Sequence, residues 1–458
     1  MPELNPSAIQ GIYQYQVTSA FDAFKPEHLN KLFSRYGDQG MDEFRFLKTM
    51  GWEKEVSNHE YGHWEEGRII ENFQVRSNVS DPGAGNSADI TLALADLDDN
   101  NKYYPRLNDE VLFANDVVGL ITAIDVGTPA APVVTVAPVD SSENIGALTA
   151  SDYVVIFSNA FADGTDQPAG RVKKYHRYTN NLQIIKETVG AHGTDLIRQK
   201  WFDVTSEGQS IPTYYSEGLL DVDYRMSAHC SHVLLVGKKT TNSSLVDATT
   251  GEPVRTTEGL IPYVKAEGLT HPTNTFGMGD FDTIDRYLEQ QHVGTNVLVN
   301  LGINRYQQVE DAIKEYLDTN GTDYTQKVLN DQFGLSQASA ATVNFKSFSK
   351  SGRNYMLRKM SSFSNPKLLG SSGFDYVNKA VFIPMNKQKD AKTGAWSSSM
   401  GYRYGSFNGY NRRMEMWSVA GAGNELKVSS IDRKDTYMRA HIGAHFMGGN
   451  RFVLVESA

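Results

Sequence analysis

Several things are scarce in this sequence, and each absence narrows the field. Among 458 residues there is one cysteine, Cys230, so no intramolecular disulfide framework and no cysteine-based zinc site of the finger type can form. No apolar run approaches the roughly 18 residues of a membrane span. The opening stretch, MPELNPSAIQGIYQYQ, has neither the basic start nor the apolar block of a secretory signal. The expectation is a protein made and kept in a cytoplasm, or in something assembled there, with no membrane partner. Positive charge is not in surplus either. A net charge of -10 opposes a surface built to neutralise a nucleic-acid backbone, which needs clustered Lys and Arg. A P-loop, a dinucleotide glycine fingerprint and a G-x-S-x-G elbow are all missing, as are internal repeats and heptads.

What is present is an ordinary globular composition, 40% hydrophobic and 21% charged, long enough for about three domains. It is organised around the stretch 211–239, IPTYYSEGLLDVDYRMSAHCSHVLLVGKK. Tyr215, Leu219, Val222, Met226, Cys230 and Val233 recur at steps of four or three, the spacing that stripes one helix face. Pro212 suits a first turn, and Gly237 with two following lysines suits a stop. A helix from Tyr214 to Val236 would be about 35 Å long at about 1.5 Å per residue, enough to brace a domain. Gly218 weakens its first turns. Cys230, lying in the stripe, is expected to be a small buried apolar residue.

In chain order, residues 1–50 read as an irregular arm with short helices at EHLNKLFSRYG and MDEFRFLKTMG, the latter closed by Gly51. Residues 51–104 read as a long hairpin. From Trp64 onward Ile69, Glu71, Phe73 and Val75 alternate to one side, DPGAGNS (81–87) turns the chain, and ADITLAL returns it. Short β-branched runs separated by Gly, Pro and Asp follow, predicting a small inserted β-barrel at 105–170. The strand VKKYHRYTN opens a region at 171–259 that contains the long helix. Strand–helix alternation marks an α/β lobe at 260–340, and 341–458 is β-rich, interrupted by a Gly/Ser/Tyr loop at 394–411. The fold class is α+β.

The sharpest motif is His59-Glu60-Tyr61-Gly62-His63, which matches H-E-x-x-H. In zinc peptidases two histidines one turn apart on a helix hold the metal, and the glutamate activates its water. A zinc-dependent hydrolase using His59, Glu60 and His63 is therefore one alternative. The required helix is not indicated, since Gly62 sits inside the motif, Ser57-Asn58 precede it and no third histidine follows in register. The expectation is that both histidines decorate a loop or strand, with no metal and no cofactor. Asp96, Asp98 and Asn100 resemble the start of a calcium loop, but Asn101 and Leu107 stand where Gly and Glu are needed, which predicts a solvated turn. His441 and His445 could share a helix face, with Gly443 between them, and read as packing or surface residues. No catalytic constellation emerges, which favours a protein built for assembly over an enzyme.

The order of parts is more informative than any motif. An N-terminal arm, a glycine-tipped loop carrying WEEGRIIENFQV, a return through YHRYTNNLQIIKETV, a spine helix ending HVLLVGKK, the following EGLIPYV, an α/β lobe and a β-rich return resemble the major capsid protein of tailed bacteriophages. That fold is shared with herpesvirus capsids, and the texture is most similar to the large capsid proteins of crAss-like phages. The resemblance covers nearly the whole chain in order. It implies a structural protein that self-assembles as homo-hexamers and homo-pentamers of an icosahedral head. The shell would enclose double-stranded DNA without binding it specifically, in a virion assembled in the host cytoplasm. It implies an axial domain at 260–340, a peripheral domain braced by the spine helix, and an extended loop lying across a neighbouring subunit. Trp64, Arg68, Ile70, Phe73, Val75, Pro82, Ile90 and Leu92 would make that inter-subunit contact. Scaffolding, portal and head auxiliary proteins would be further partners. The scaffold is expected to be separate, since no long scaffolding segment precedes the arm. The absence of lysine between Arg76 and Lys102 leaves the loop tip without a crosslink donor. A β-rich tail or decoration protein is a further alternative.

Overall fold

The computed structural model describes residues 42–67, 72–97, 102–168, 170–171, 175–197, 199–206, 209–320, 346–371, 373–385, 387–389, 396–423 and 426–458. It is a mixed α+β chain in two compact units, residues 62–178 and the flanking chain on either side.

Within 62–178 the strands form a six-stranded sheet in the order Phe73–Gln74, Tyr153–Asn159, Asp109–Leu112, Val118–Asp125, Val133–Pro138, Ala88–Thr91. An antiparallel bridge between Val75 and Leu92 joins the first strand's end to the last, so the sheet closes into a barrel. Alternation explains the closure. Val154 and Ile156, Val134 and Val136, and Ile90 and Leu92 point inward with Phe73, Val75, Val111, Phe113 and Ile121 to make one core. At about 1.5–3 kcal/mol for each large side chain fully buried, this core is reason enough for the segment to close on itself. Here the structure corrects the hairpin reading. Residues 73–75 and 88–92 do not form a free two-stranded arm, because each pairs with a barrel strand. The barrel therefore takes two strands from the stretch expected to be loop and four from 105–170. The strand Glu60–Glu66 pairs instead with Tyr175–Asn181.

In the other unit the longest strand, Arg433–Phe446, is central. It pairs along ten residues with Gln183–His192, from Gln183 opposite Ile442 to His192 opposite Arg433. On its other side lie Met400–Phe407 and Glu415–Ala420, and Glu53–Val56 adds in parallel to Met400–Phe407. The stretch expected as a loop at 394–411 thus carries a core strand. Its glycines misled the reading: a side chain at Gly401 would sit 2.6 Å from the Trp52 carbonyl, and one at Gly405 2.8 Å from His441 Nδ1. Glycine stands there because neighbours press close, not because the chain turns.

The expected helix spans Tyr214–Val236 and packs on Gln183–His192 and Arg433–Phe446. The short helix Asp42–Thr49 lies against it, tied by the Phe44 amide donating to Ser231 Oγ at 3.1 Å.

A second six-stranded sheet runs Leu269–Pro272, Val453–Glu456, Ala380–Pro384, Asn296–Leu301, Arg353–Lys359, Lys346–Lys350. The helices Met278–Gln290 and Ile303–Asn320 cover one face, burying Phe281, Ile284, Leu288, Val309 and Ile313 against Val297, Val299, Tyr355 and Phe382. The lobe expected at 260–340 contributes both helices and two strands, while four strands come from beyond residue 340. The arm helix at EHLNKLFSRYG lies outside the described residues.

Candidate functional site

The histidine motif runs into a strand. Glu60–Glu66 is extended and His59 lies in the bend just before it, so the helix that would set His59 and His63 one turn apart for zinc is not formed. His63 Nε2 instead meets Glu65 Oε1 at 2.7 Å. Among the described residues no group of three or more His, Cys, Asp or Glu is placed to hold a metal ion.

His59 and Tyr61 lie beside the long strand, and this brings together motifs that are far apart in sequence. The His59 and His441 rings are 5.0 Å apart, Tyr61 stacks on His445 at 6.1 Å, and the Tyr61 hydroxyl donates to the Ala444 carbonyl. Asn180, fully buried, donates through Nδ2 to Glu258 O and Ala444 O and accepts from the Glu258 amide through Oδ1. Thr257 Oγ1 accepts from the Ala444 amide at 3.1 Å. His441 and His445 are buried on a strand, not set on a helix face as the sequence reading allowed. Among the described residues His441 Nε2 finds no hydrogen-bond partner, and burial, with Arg412, His59 and Arg439 around it, pushes the imidazole down to about 4. This hydrogen-bonded seam joins four chain segments, 59–61, 180, 257–258 and 441–445.

The helix stripe divides. Val222, Met226 and Cys230 are fully buried, whereas Leu219 and Val233 are half-buried and Leu234 and Leu235 take over the core face at the C-terminal end. Tyr215 lies in the helix, with its side chain outside the described set. Burial pushes the Cys230 thiol up to about 12. Of the proposed contact residues, Arg68 and Ile70 lie outside the described residues. Phe73, Val75, Ile90 and Leu92 fill the barrel core, which leaves them no face for a neighbouring subunit and corrects their assignment. Trp64 is exposed, with the Arg177 guanidinium 5.8 Å from its ring centre, and Pro82 is half-buried in the 81–87 turn.

Another surface, which sequence reading missed, lies on the larger unit. Glu415–Ala420 pairs with Arg433–Phe446 on one side only, and among the described residues no strand pairs with its other edge. Met416 and Trp417 are exposed on it, Trp417 stacking on Tyr437 at 5.5 Å with the Arg439 guanidinium 5.1 Å from its ring centre. The loop that follows returns to the sheet through Val428 N to Ala420 O, and it meets the helix Gly193–Ile197 through Gly193 N to Asp432 O. Four aliphatic side chains there face water: Ile197 at 79%, Leu426 at 85%, Val428 at 64% and Ile431 at 66% exposure. An open strand edge beside a group of exposed aliphatics calls for a covering partner. In sequence Leu426, Val428 and Ile431 are single apolar letters among polar ones and Ile197 ends a short helix, with no shared period to mark them as a group.

No family model matches the chain, and no curated protein matches it. Solved structures do. A chain of Microbacterium phage Oxtober96 is similar at 8% identity and TM-score 0.40, covering 97% of this chain and 99% of its own length. The capsid of a native GTA particle is similar at 7% identity and TM-score 0.40, covering 97% and 98%. The holo-SrpI encapsulin complex from Synechococcus elongatus is similar at 8% identity and TM-score 0.35, covering 62% and 77%. At such identity no residue role passes from them to this chain.

Proposed function

We propose that this chain is a shell-forming structural protein, the major capsid subunit of a tailed-phage head. Copies associate as hexamers and pentamers of an icosahedral shell that encloses double-stranded DNA without binding it specifically. Scaffolding, portal and auxiliary head proteins are its further partners. The observation that carries the reading is the open edge of Glu415–Ala420 beside Ile197, Leu426, Val428 and Ile431. Exposure of that kind is costly for a lone chain and is relieved when copies cover one another. The order of parts along the sequence supports the same reading: arm, loop, spine helix on a long strand pair, α/β lobe, β-rich return. Trp64 and Pro82 remain candidates for inter-subunit contact.

Electron microscopy of the purified chain, alone and with a candidate scaffold, tests this. Closed shells of uniform size are expected. A chain that stays monomeric under every assembly condition contradicts the reading.

A further inference from the structure

The barrel's outer wall is unlike the rest of its surface. On Tyr153–Asn159 the inward residues are Val154 and Ile156, and the outward ones, Tyr153, Val155 and Phe157, are 56%, 43% and 50% exposed. The neighbouring strands continue this face. Leu112 stands opposite Val155 and also opposite Val118, and Leu120 stands opposite Glu110. Val139, 61% exposed, bonds its amide to the Val118 carbonyl. Side chains directly opposite in a ladder share a face, so three adjacent strands present one apolar, aromatic-bearing wall that includes Glu110.

The charge around that wall is one-sided. Residues 62–178 hold 17 of the chain's 54 Asp and Glu but only eight of its 44 Lys and Arg, a net of -9 against -10 for the whole chain. The remainder is therefore close to neutral. Asp116, Asp140 and Asp152 sit in the turns that bound the apolar strands, Asp140 bonded to the Ser142 amide and Asp152 to the Thr149 amide. Those bonds favour the ionised carboxylates and hold both below their usual range.

We propose that this wall, Tyr153, Val155 and Phe157 with Leu112, Val118 and Val139, is a docking surface for a basic polypeptide. Its apolar side chains lie on the strand face and its lysines or arginines meet the acidic surround. Charge selects this occupant. Two copies of a module carrying -9 repel when brought face to face, whereas a cationic chain is drawn in and then held by the apolar contact. The surface is independent of shell formation and can be measured on the unassembled chain.

The test uses fluorescence anisotropy with the full chain and three labelled peptides of equal length: alternating leucine and lysine, serine and lysine, and leucine and glutamate. The leucine–lysine peptide should bind at least tenfold more tightly than either of the others. The exposed double substitution Val155→Thr/Phe157→Thr, which keeps strand-forming residues, should weaken it at least tenfold with the melting temperature unchanged. Asp116→Asn should weaken it more modestly and reduce its salt dependence. Two results overturn the proposal: equal binding of leucine–lysine by the double variant and the parent, or equal binding of the leucine–glutamate peptide. Sedimentation covers the remaining occupant. A parent that self-associates and a double variant that does not would make the partner a second copy, and the proposal would fall.

Discussion

Cys230 shows how a single residue reports on its surroundings. Its thiol is fully buried in the helix stripe and pushed up to about 12, so almost no thiolate exists at neutral pH. Thiol-reactive dyes at pH 8 should leave the folded chain unlabelled and modify one cysteine in urea. Rapid labelling of the native protein would place Cys230 elsewhere. His441 makes a pH-dependent statement. Its folded pKa of about 4 lies below the ordinary value of 6.5 because burial and Arg412, His59 and Arg439 disfavour the cation. The unfolded chain therefore binds the proton more readily. Stability is full above about pH 6.5 and falls as pH drops toward 4, by on the order of 3 kcal/mol from this residue. Melts between pH 7.5 and 4.5 should show that loss, and His441→Gln should flatten it. An unchanged slope in the variant would remove His441 as the cause.

At the scale of elements, Gly218 weighs propensity against packing. Alanine in a helix is normally favoured over glycine by about 1 kcal/mol. Here a Cβ would stand 2.8 Å from Val189 Cγ2 on the strand beneath, so the helix could not keep its approach. Gly218→Ala should destabilise by about 1–2 kcal/mol, the range for overpacking, and a stabilised variant would contradict the helix–strand contact. In the α/β lobe, Asp285 accepts from Arg353 Nη1 and from the Tyr355 hydroxyl, both at 2.7 Å, and all three are buried. Asp285→Ala removes the carboxylate acceptor of the Tyr355 hydroxyl and one of the two carboxylates on the buried Arg353 guanidinium, which keeps Glu289 and the Val293 carbonyl, and a loss of about 3 kcal/mol in urea denaturation is expected. A loss under 1 kcal/mol would mean that these remaining partners satisfy Arg353. Val79 exchanges amide and carbonyl bonds with Leu148, so trimming 78–88 removes barrel structure as well as a loop. The variant's melt should reveal a fold defect before any assembly defect.

At the scale of the molecule, legibility in the sequence followed periodicity and failed where tertiary pairing decided. The helix at Tyr214–Val236 was readable to the residue because its stripe repeats for about five turns. Met278–Gln290 and Ile303–Asn320 were readable for the same reason. Strands 73–75 and 88–92 were visible as strands, but their partners lie up to 81 residues away, and a turn between them made a local hairpin the obvious pairing. Met400–Phe407 was hidden by glycines whose purpose exists only in the folded sheet. The exposed group at Ile197, Leu426, Val428 and Ile431 was not legible at all, since exposure is set by what fails to cover a residue. That group carries the central claim. Sedimentation velocity of the parent chain against Val428→Asp/Ile431→Asp tests it most directly. Large, discrete assemblies are expected for the parent and monomers for the variant, with equal melting temperatures. Assembly unaffected by the two aspartates, or a parent that never leaves the monomer, would contradict it.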